Sequence, residues 1–157
     1  YGTQAALDVI RARGAELAAV MIEPVQSRNP SLQPHAFVQA LRRICDTHAC
    51  ALIFDEVITG FRVSPGGAQE FYGVRADIAT YGKIIGGGLP FAAIGGKAKW
   101  MDALDGGAWQ FGDASRPEAG VTYFAGTFVR HPLALAAAKA ALLHLRQNGR
   151  PVWRPFG

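Results

Sequence analysis

Cys50-Ala-Leu-Ile-Phe54 is an unbroken apolar run that stops at two acids, Asp55-Glu56. A run without polar alternation reads as a strand buried on both faces, the pattern of a parallel sheet. Upstream, Leu17-Ala-Ala-Val-Met-Ile22 is a second such run, closed by Glu23-Pro24. Between them, residues 35–48 place Phe37, Leu41, Ile44 and Cys45 at helical spacing, opposite Gln39, Arg42, Arg43 and Asp46. Strand, helix of about four turns and strand make a βαβ unit, whose crossover is almost always right-handed. The expected fold is α/β, a mostly parallel sheet flanked by helices.

Working outward, residues 3–13 read as a short amphipathic helix stopped by Gly14, and residues 26–34 as a polar loop with prolines. Residues 76–81 are a third candidate strand, running into Gly82-Lys83 and the cluster Gly86-Gly87-Gly88. A fourth strand is expected at 91–95 and a helical turn or two at 98–104. Residues 105–120, rich in Gly, Asp and Pro, read as a long loop, which in a compact domain points to function or mobility. Residues 132–148 read as a long helix, with Pro132 in its first turn, an alanine-rich body and Gly149 as its stop.

Of the 157 residues, 50% are apolar and 18% charged, which excludes disorder as the dominant state. No run approaches the roughly 18 apolar residues of a membrane helix, and no membrane partner is expected. The net charge is +4, but the basic residues are scattered and not interleaved with aromatics, so no nucleic-acid partner is expected either. Cys45 and Cys50 fit neither a disulfide scaffold nor a zinc motif and read as small core residues in a reducing, cytoplasmic setting. Four histidines form no HExxH or His-rich tract, so no metal is expected.

Two residues sit where this architecture places ligands, at the carboxyl ends of strands. Asp55 closes one strand; a carboxylate there needs a cation or several donors. Lys83 follows another strand among glycines, which let a flat or phosphorylated ligand approach the backbone. In a partly desolvated crevice a lysine pKa falls, freeing the neutral amine for attack on a carbonyl. An acid and an amine on neighbouring strand ends suit pyridoxal phosphate, the lysine forming a Schiff base and the acid keeping the pyridine nitrogen protonated. Taken singly, each has a plainer reading, Asp55 as a helix cap or ion-pair member and Lys83 as a solvated loop lysine. The Gly-Lys pair is not a phosphate-binding P-loop, since Asp77 and Ile84 stand where that motif needs Gly and Ser/Thr.

Asp55-Glu-Val-Ile-Thr-Gly-Phe-Arg62, followed by Ala76-Asp-Ile-Ala-Thr-Tyr-Gly-Lys-Ile-Ile-Gly-Gly-Gly-Leu-Pro90, closely resembles the class III aminotransferases, pyridoxal-phosphate enzymes of fold type I. Glu23-Pro24 and Ala125-Gly-Thr127, with Pro132 beyond, match further blocks in order, so the resemblance covers residues 15–148. It implies a partial coenzyme-binding large domain over residues 1–149. It makes Lys83 the Schiff-base and proton-shuttling lysine and Asp55 the partner of the pyridine nitrogen. Val57 then packs on one ring face. Thr127 and the backbone at Gly126 contact the coenzyme phosphate, from the neighbouring subunit of a homodimer. Glu23 falls near the site, in a structural or a catalytic role.

Departures from the family pattern narrow the resemblance. Ile58 stands where many members have Gln, and an extra Gly between Phe61 and Arg62 is missing, as in the glutamate-1-semialdehyde aminomutase branch. Pro24-Val-Gln-Ser-Arg-Asn-Pro30 and Phe124-Ala-Gly-Thr-Phe-Val-Arg-His-Pro132 look more like aminotransferase domains of hybrid polyketide synthase–nonribosomal peptide synthetases. That implies transfer of an amino group from an amino-acid donor to a keto-acyl chain on a carrier protein, in natural-product biosynthesis. Arg28 and Arg130 are either surface arginines or anchors for a donor carboxylate or a carrier phosphopantetheine.

The family's phosphate loop, second ring-stacking residue and small domain have no counterpart here, and residues 150–157 do not align. The expectation is an internal fragment that by itself binds coenzyme weakly and, with exposed strand edges, dimerises or aggregates. Three readings stand: a segment of an aminotransferase, an aminomutase-type isomerase, and a non-catalytic element for folding or dimerisation.

Overall fold

The computed structural model describes residues 3–107, 109–110, 112–116 and 125–152. In chain order the elements are α1 (Gln4–Arg13), β1 (Ala19–Ile22), α2 (His35–His48), β2 (Ala51–Asp55), α3 (Gly67–Tyr72), β3 (Ile78–Tyr81), β4 (Ala93–Gly96), α4 (Ala98–Asp105) and α5 (Pro132–Val152). The four strands form one sheet in the order β1-β2-β3-β4; β1, β2 and β3 run parallel and β4 is antiparallel to β3. The expected α/β fold with a mostly parallel sheet is what the chain adopts.

Helix α2 forms because its apolar residues recur every three or four positions. Phe37, Val38, Leu41, Ile44 and Cys45 are buried, while Gln39, Arg43 and Asp46 face solvent. They meet Leu52 and Phe54 of β2, and Leu7 of α1 with Ala68 and Tyr72 of α3 close the same core. Each large side chain fully buried there contributes about 1.5–3 kcal/mol. The helix ends at Ala49, whose φ of +54° lets its N–H reach the Asp46 and Cys45 carbonyls.

Burial on both sheet faces, expected from the unbroken apolar runs, holds only in part. Residues Val20, Ile22, Leu52, Phe54 and Ala79 alternate toward the helical core. On the opposite face Met21 is 56% and Ile94 51% exposed, and Ile53 and Ile78 are half-buried. An apolar run shows that a strand can be covered on both faces; here α1, α2 and α3 cover one.

Helix α3 lies in a stretch for which no element was expected. Two expectations are corrected. Helix α5 runs past Gly149 to Val152: one glycine costs about 1 kcal/mol, which an alanine-rich helix absorbs. Within the glycine cluster, Gly87 lets a helix approach the backbone closely. Its φ is +59°, and a Cβ there would stand 3.0 Å from the Ala137 carbonyl oxygen of α5. The expected loop over 105–120 starts one residue late, since α4 runs through Asp105; part of it, and residues 153–157 of the tail, lie outside the described residues.

At the end of the sheet away from the strand carboxyl ends, Asp77 ties three elements together. Its carboxylate accepts the Leu52 N–H at 2.8 Å and pairs with Arg42 and Lys97, each at 2.7 Å. Burial by itself would raise its pKa, but these donors outweigh it and hold the carboxyl down at about 2. Among the described residues no helix is long and apolar enough to cross a membrane.

Candidate active site

The parallel pairing puts the carboxyl ends of β1, β2 and β3 side by side, and each carries or precedes a chemically useful residue. Glu23 follows β1, Asp55 ends β2, and Lys83 follows β3 after a single glycine. Asp55 is in register with Thr80. Thr80 is three residues from Lys83, at most about 11 Å along the chain, and its strand lies about 4.8 Å from that of Asp55.

The Asp55 carboxylate is oriented by two donors on one oxygen. Oδ1 accepts the Val57 N–H at 3.0 Å and the Thr80 hydroxyl at 3.3 Å. The first bond is an Asx turn that aims the chain leaving β2. Oδ2 has no partner among the described residues, and Asp55 joins no ion pair there. The plainer cap reading therefore accounts for one oxygen and the ion-pair reading for neither. The open oxygen can accept a hydrogen bond from an incoming N–H.

Lys83 adopts φ of +50°, the left-handed region, and opens a short 3-10 turn, Lys83–Gly86. For a residue with a Cβ this costs about 1–2 kcal/mol, and such strain gathers at functional positions. Its amine has no hydrogen bond or ion pair among the described residues, whereas Lys97 is tied to Asp77. Among the described residues no desolvated crevice encloses Lys83, which is exposed beside the glycines at 82, 86, 87 and 88.

Val57 is half-buried beside Gly82, where an added Cβ would come 3.3 Å from Val57 Cγ1. It thus stands next to the backbone that leads into Lys83. Glu23 is half-buried and accepts the Ser27 N–H at 2.9 Å, fastening the loop after β1. Gly126 and Thr127 are exposed in the turn before α5 and line a cleft of about 510 Å³ with Phe91, Arg130 and Leu135. Neither Lys83 nor Asp55 is among the residues that line that cleft. Arg28 and Arg130 are exposed on separate loops, Arg130 with φ of +60°.

Two participants escaped the sequence reading. Thr80 orients Asp55; its signal was alternation, since a residue two before Gly82 shares the face of a strand-end neighbour. Glu56 is only 1% exposed, and its carboxylate accepts the Thr59 hydroxyl at 2.9 Å and the Ala68 and Gln69 N–H groups at 2.7 and 3.2 Å. Its partners are backbone groups twelve and thirteen positions on, for which no short motif exists.

Comparison with known proteins bears on this arrangement directly. The family description Aminotransferase class-III matches residues 2–150. A glutamate-1-semialdehyde 2,1-aminomutase of Methanospirillum hungatei is 45% identical over 149 residues, covering 93% of this chain and 33% of that protein. An omega-transaminase from Sphaerobacter thermophilus superposes with a TM-score of 0.74 at 37% identity, over 88% of this chain and 30% of that one. A transaminase solved with PLP bound superposes with a TM-score of 0.74 at 31% identity, over 88% of this chain and 31% of that one. The chain thus spans about a third of the length of the relatives it matches. With its family blocks in order and its strand-end acid and amine on adjacent parallel strands, the chain belongs to the class III aminotransferase family.

Proposed function

We propose that this chain supplies the reactive amine and the ring-nitrogen partner of a pyridoxal-phosphate-dependent aminotransferase. The observation that carries the reading is the pair at the strand ends: a Lys83 amine without a partner among the described residues and an Asp55 carboxylate with one oxygen fastened and, among the same residues, one open. These residues fit the coenzyme. Lys83 would hold its aldehyde carbon, Asp55 its ring N–H, and Val57 one ring face. Once bound, the coenzyme supplies an electron sink for negative charge at the substrate carbon.

The protein's own share of the chemistry is positional and acid–base. Asp55, with Oδ2 open, would accept the ring N–H and by its negative charge favour the protonated ring nitrogen. Lys83 Nζ would serve as the general base and then the general acid that moves the proton at the substrate carbon. The left-handed backbone at Lys83 aims the side chain at the start of its turn. Gly126 and Thr127 line a cleft that neither Lys83 nor Asp55 lines, and in this reading a second copy of the chain in a homodimer brings them to the coenzyme phosphate.

The finer reading is transfer of an amino group from an amino-acid donor to a keto-acyl chain carried on a carrier protein, in polyketide or peptide biosynthesis. Its support is the departure from the aminomutase pattern at residues 24–30 and 124–132. The buried, unpaired thiols of Cys45 and Cys50 favour a cytoplasmic setting. A second reading, isomerisation of the aminomutase kind, is favoured by the 45% identity to the Methanospirillum hungatei protein.

Assaying the natural polypeptide that carries these residues with carrier-bound keto-acyl substrates and with glutamate-1-semialdehyde separates the two. Amino transfer to the acyl chain, lost in Lys83→Ala, is the expected result. Turnover of the semialdehyde alone selects the isomerase, and activity retained by Lys83→Ala contradicts both.

A further inference from the structure

Glu56 is a carboxylate buried in the interior with no cation paired to it among the described residues, an arrangement that costs several kcal/mol unless donors compensate. Among the described residues its bonds are spent on holding structure. Besides the side-chain contacts to Thr59, Ala68 and Gln69, its N–H donates to the Thr80 carbonyl at 2.9 Å, extending the β2–β3 ladder one step past Asp55. Gly67, with φ of +66°, leaves room for this carboxylate; a Cβ there would stand 2.3 Å from Glu56 Oε2.

What Glu56 holds leads to Lys83. Gln69, whose N–H it fixes, donates from Nε2 to the Tyr81 hydroxyl at 3.2 Å, and its Oε1 accepts the Ala76 N–H at 3.0 Å. So Gln69 holds the last residue of β3 and the segment leading into its start. The Tyr81 ring lies 5.7 Å from that of Phe61 and against Gly60, where an added Cβ would approach its Cδ1 to 2.7 Å. Tyr81 is followed by extended Gly82 and then by strained Lys83. A left-handed lysine persists only when its surroundings over-determine it, and this chain of contacts does so from the core side.

We infer that Glu56 is a positioning residue for Lys83, acting through the first turn of α3, Gln69 and Tyr81. The inference rests on the reading of Lys83 as the coenzyme-holding amine. The alignment of the Lys83 amine is thereby made to depend on a carboxylate that never meets the coenzyme.

The test uses Glu56→Gln and Tyr81→Phe, separately and together, in the natural polypeptide. Glu56→Gln keeps the shape but sets an amide NH₂ against a backbone N–H; Tyr81→Phe removes only the hydroxyl. In the coenzyme-free protein, Glu56→Gln should speed amide exchange at Ala68, Gln69 and Ile85 about tenfold, roughly the worth of one hydrogen bond. In the loaded protein, each variant should shift the pH midpoint of the visible absorption of coenzyme on Lys83 and lower kcat about tenfold with KM little changed. The double variant should be no worse than the worse single. A wild-type pH midpoint and wild-type exchange at Ile85 in Glu56→Gln overturn the inference. If that variant does not fold, Tyr81→Phe decides by the same two readouts. Failure of the wild type to bind coenzyme at Lys83 refutes the functional reading instead, while exchange at Ile85 still reports on the contact chain.

Discussion

Thr80 Oγ1 donates to Asp55 Oδ1 at 3.3 Å across neighbouring parallel strands, from the position directly in register with it. The bond fixes one carboxylate oxygen and leaves the other open. Replacing Thr80 with Val keeps the β-branched shape and removes the donor. Coenzyme affinity, followed by its visible absorption, is expected to fall about fivefold to tenfold, matching the roughly 1 kcal/mol of one hydrogen bond. Asp55→Ala should lose binding altogether, and unchanged affinity in both variants would contradict the role given to Asp55.

Asp77 makes stability depend on pH at the opposite end of the sheet. Its folded pKa of about 2 lies below the ordinary value of 3.8. The stabilisation is therefore complete above about pH 4, the unfolded value, and is lost as pH falls through about 2. The full loss amounts to about 2 kcal/mol. Urea denaturation between pH 6 and about 2 should show this decline in the wild type and little of it in Asp77→Asn, which starts less stable.

Ala49 caps α2 with φ of +54°, a conformation glycine adopts without a Cβ penalty. Ala49→Gly should raise stability by about 0.5–1 kcal/mol, the reverse of the usual cost of glycine. A lower thermal midpoint in this variant would show that the helix ends differently.

Gly87→Ala should do the opposite. Its Cβ would stand 3.0 Å from the Ala137 carbonyl oxygen in a left-handed residue, so either α5 moves or the turn after Lys83 unwinds. A loss of about 2 kcal/mol is expected, with faster amide exchange along α5.

Apolar runs and helical spacing carried most of the fold: β2, α2 and the parallel order follow from local pattern because each element's buried face is written in consecutive residues. Helix α3 was missed where a distant carboxylate, Glu56, stands in for a local cap. The coverage of Met21 and Ile94 could not be read, since what covers a strand face lies elsewhere in the chain. Within the site, Asp55 and Lys83 were visible as charged residues at strand ends. Thr80 and Glu56 were not, because register and burial create their roles. The approach of α5 at Gly87 was not legible either, because a close neighbour looks the same in sequence whether it is a ligand or a helix.

The central claim is that Lys83 is the amine that holds the coenzyme. Incubating the protein with pyridoxal phosphate, reducing with borohydride and mapping the labelled peptide tests it against the other lysines, Lys97, Lys99 and Lys139. A stoichiometric label on Lys83, absent in Lys83→Ala, is the predicted result. Label spread over the other lysines, or none in the natural polypeptide, would contradict it.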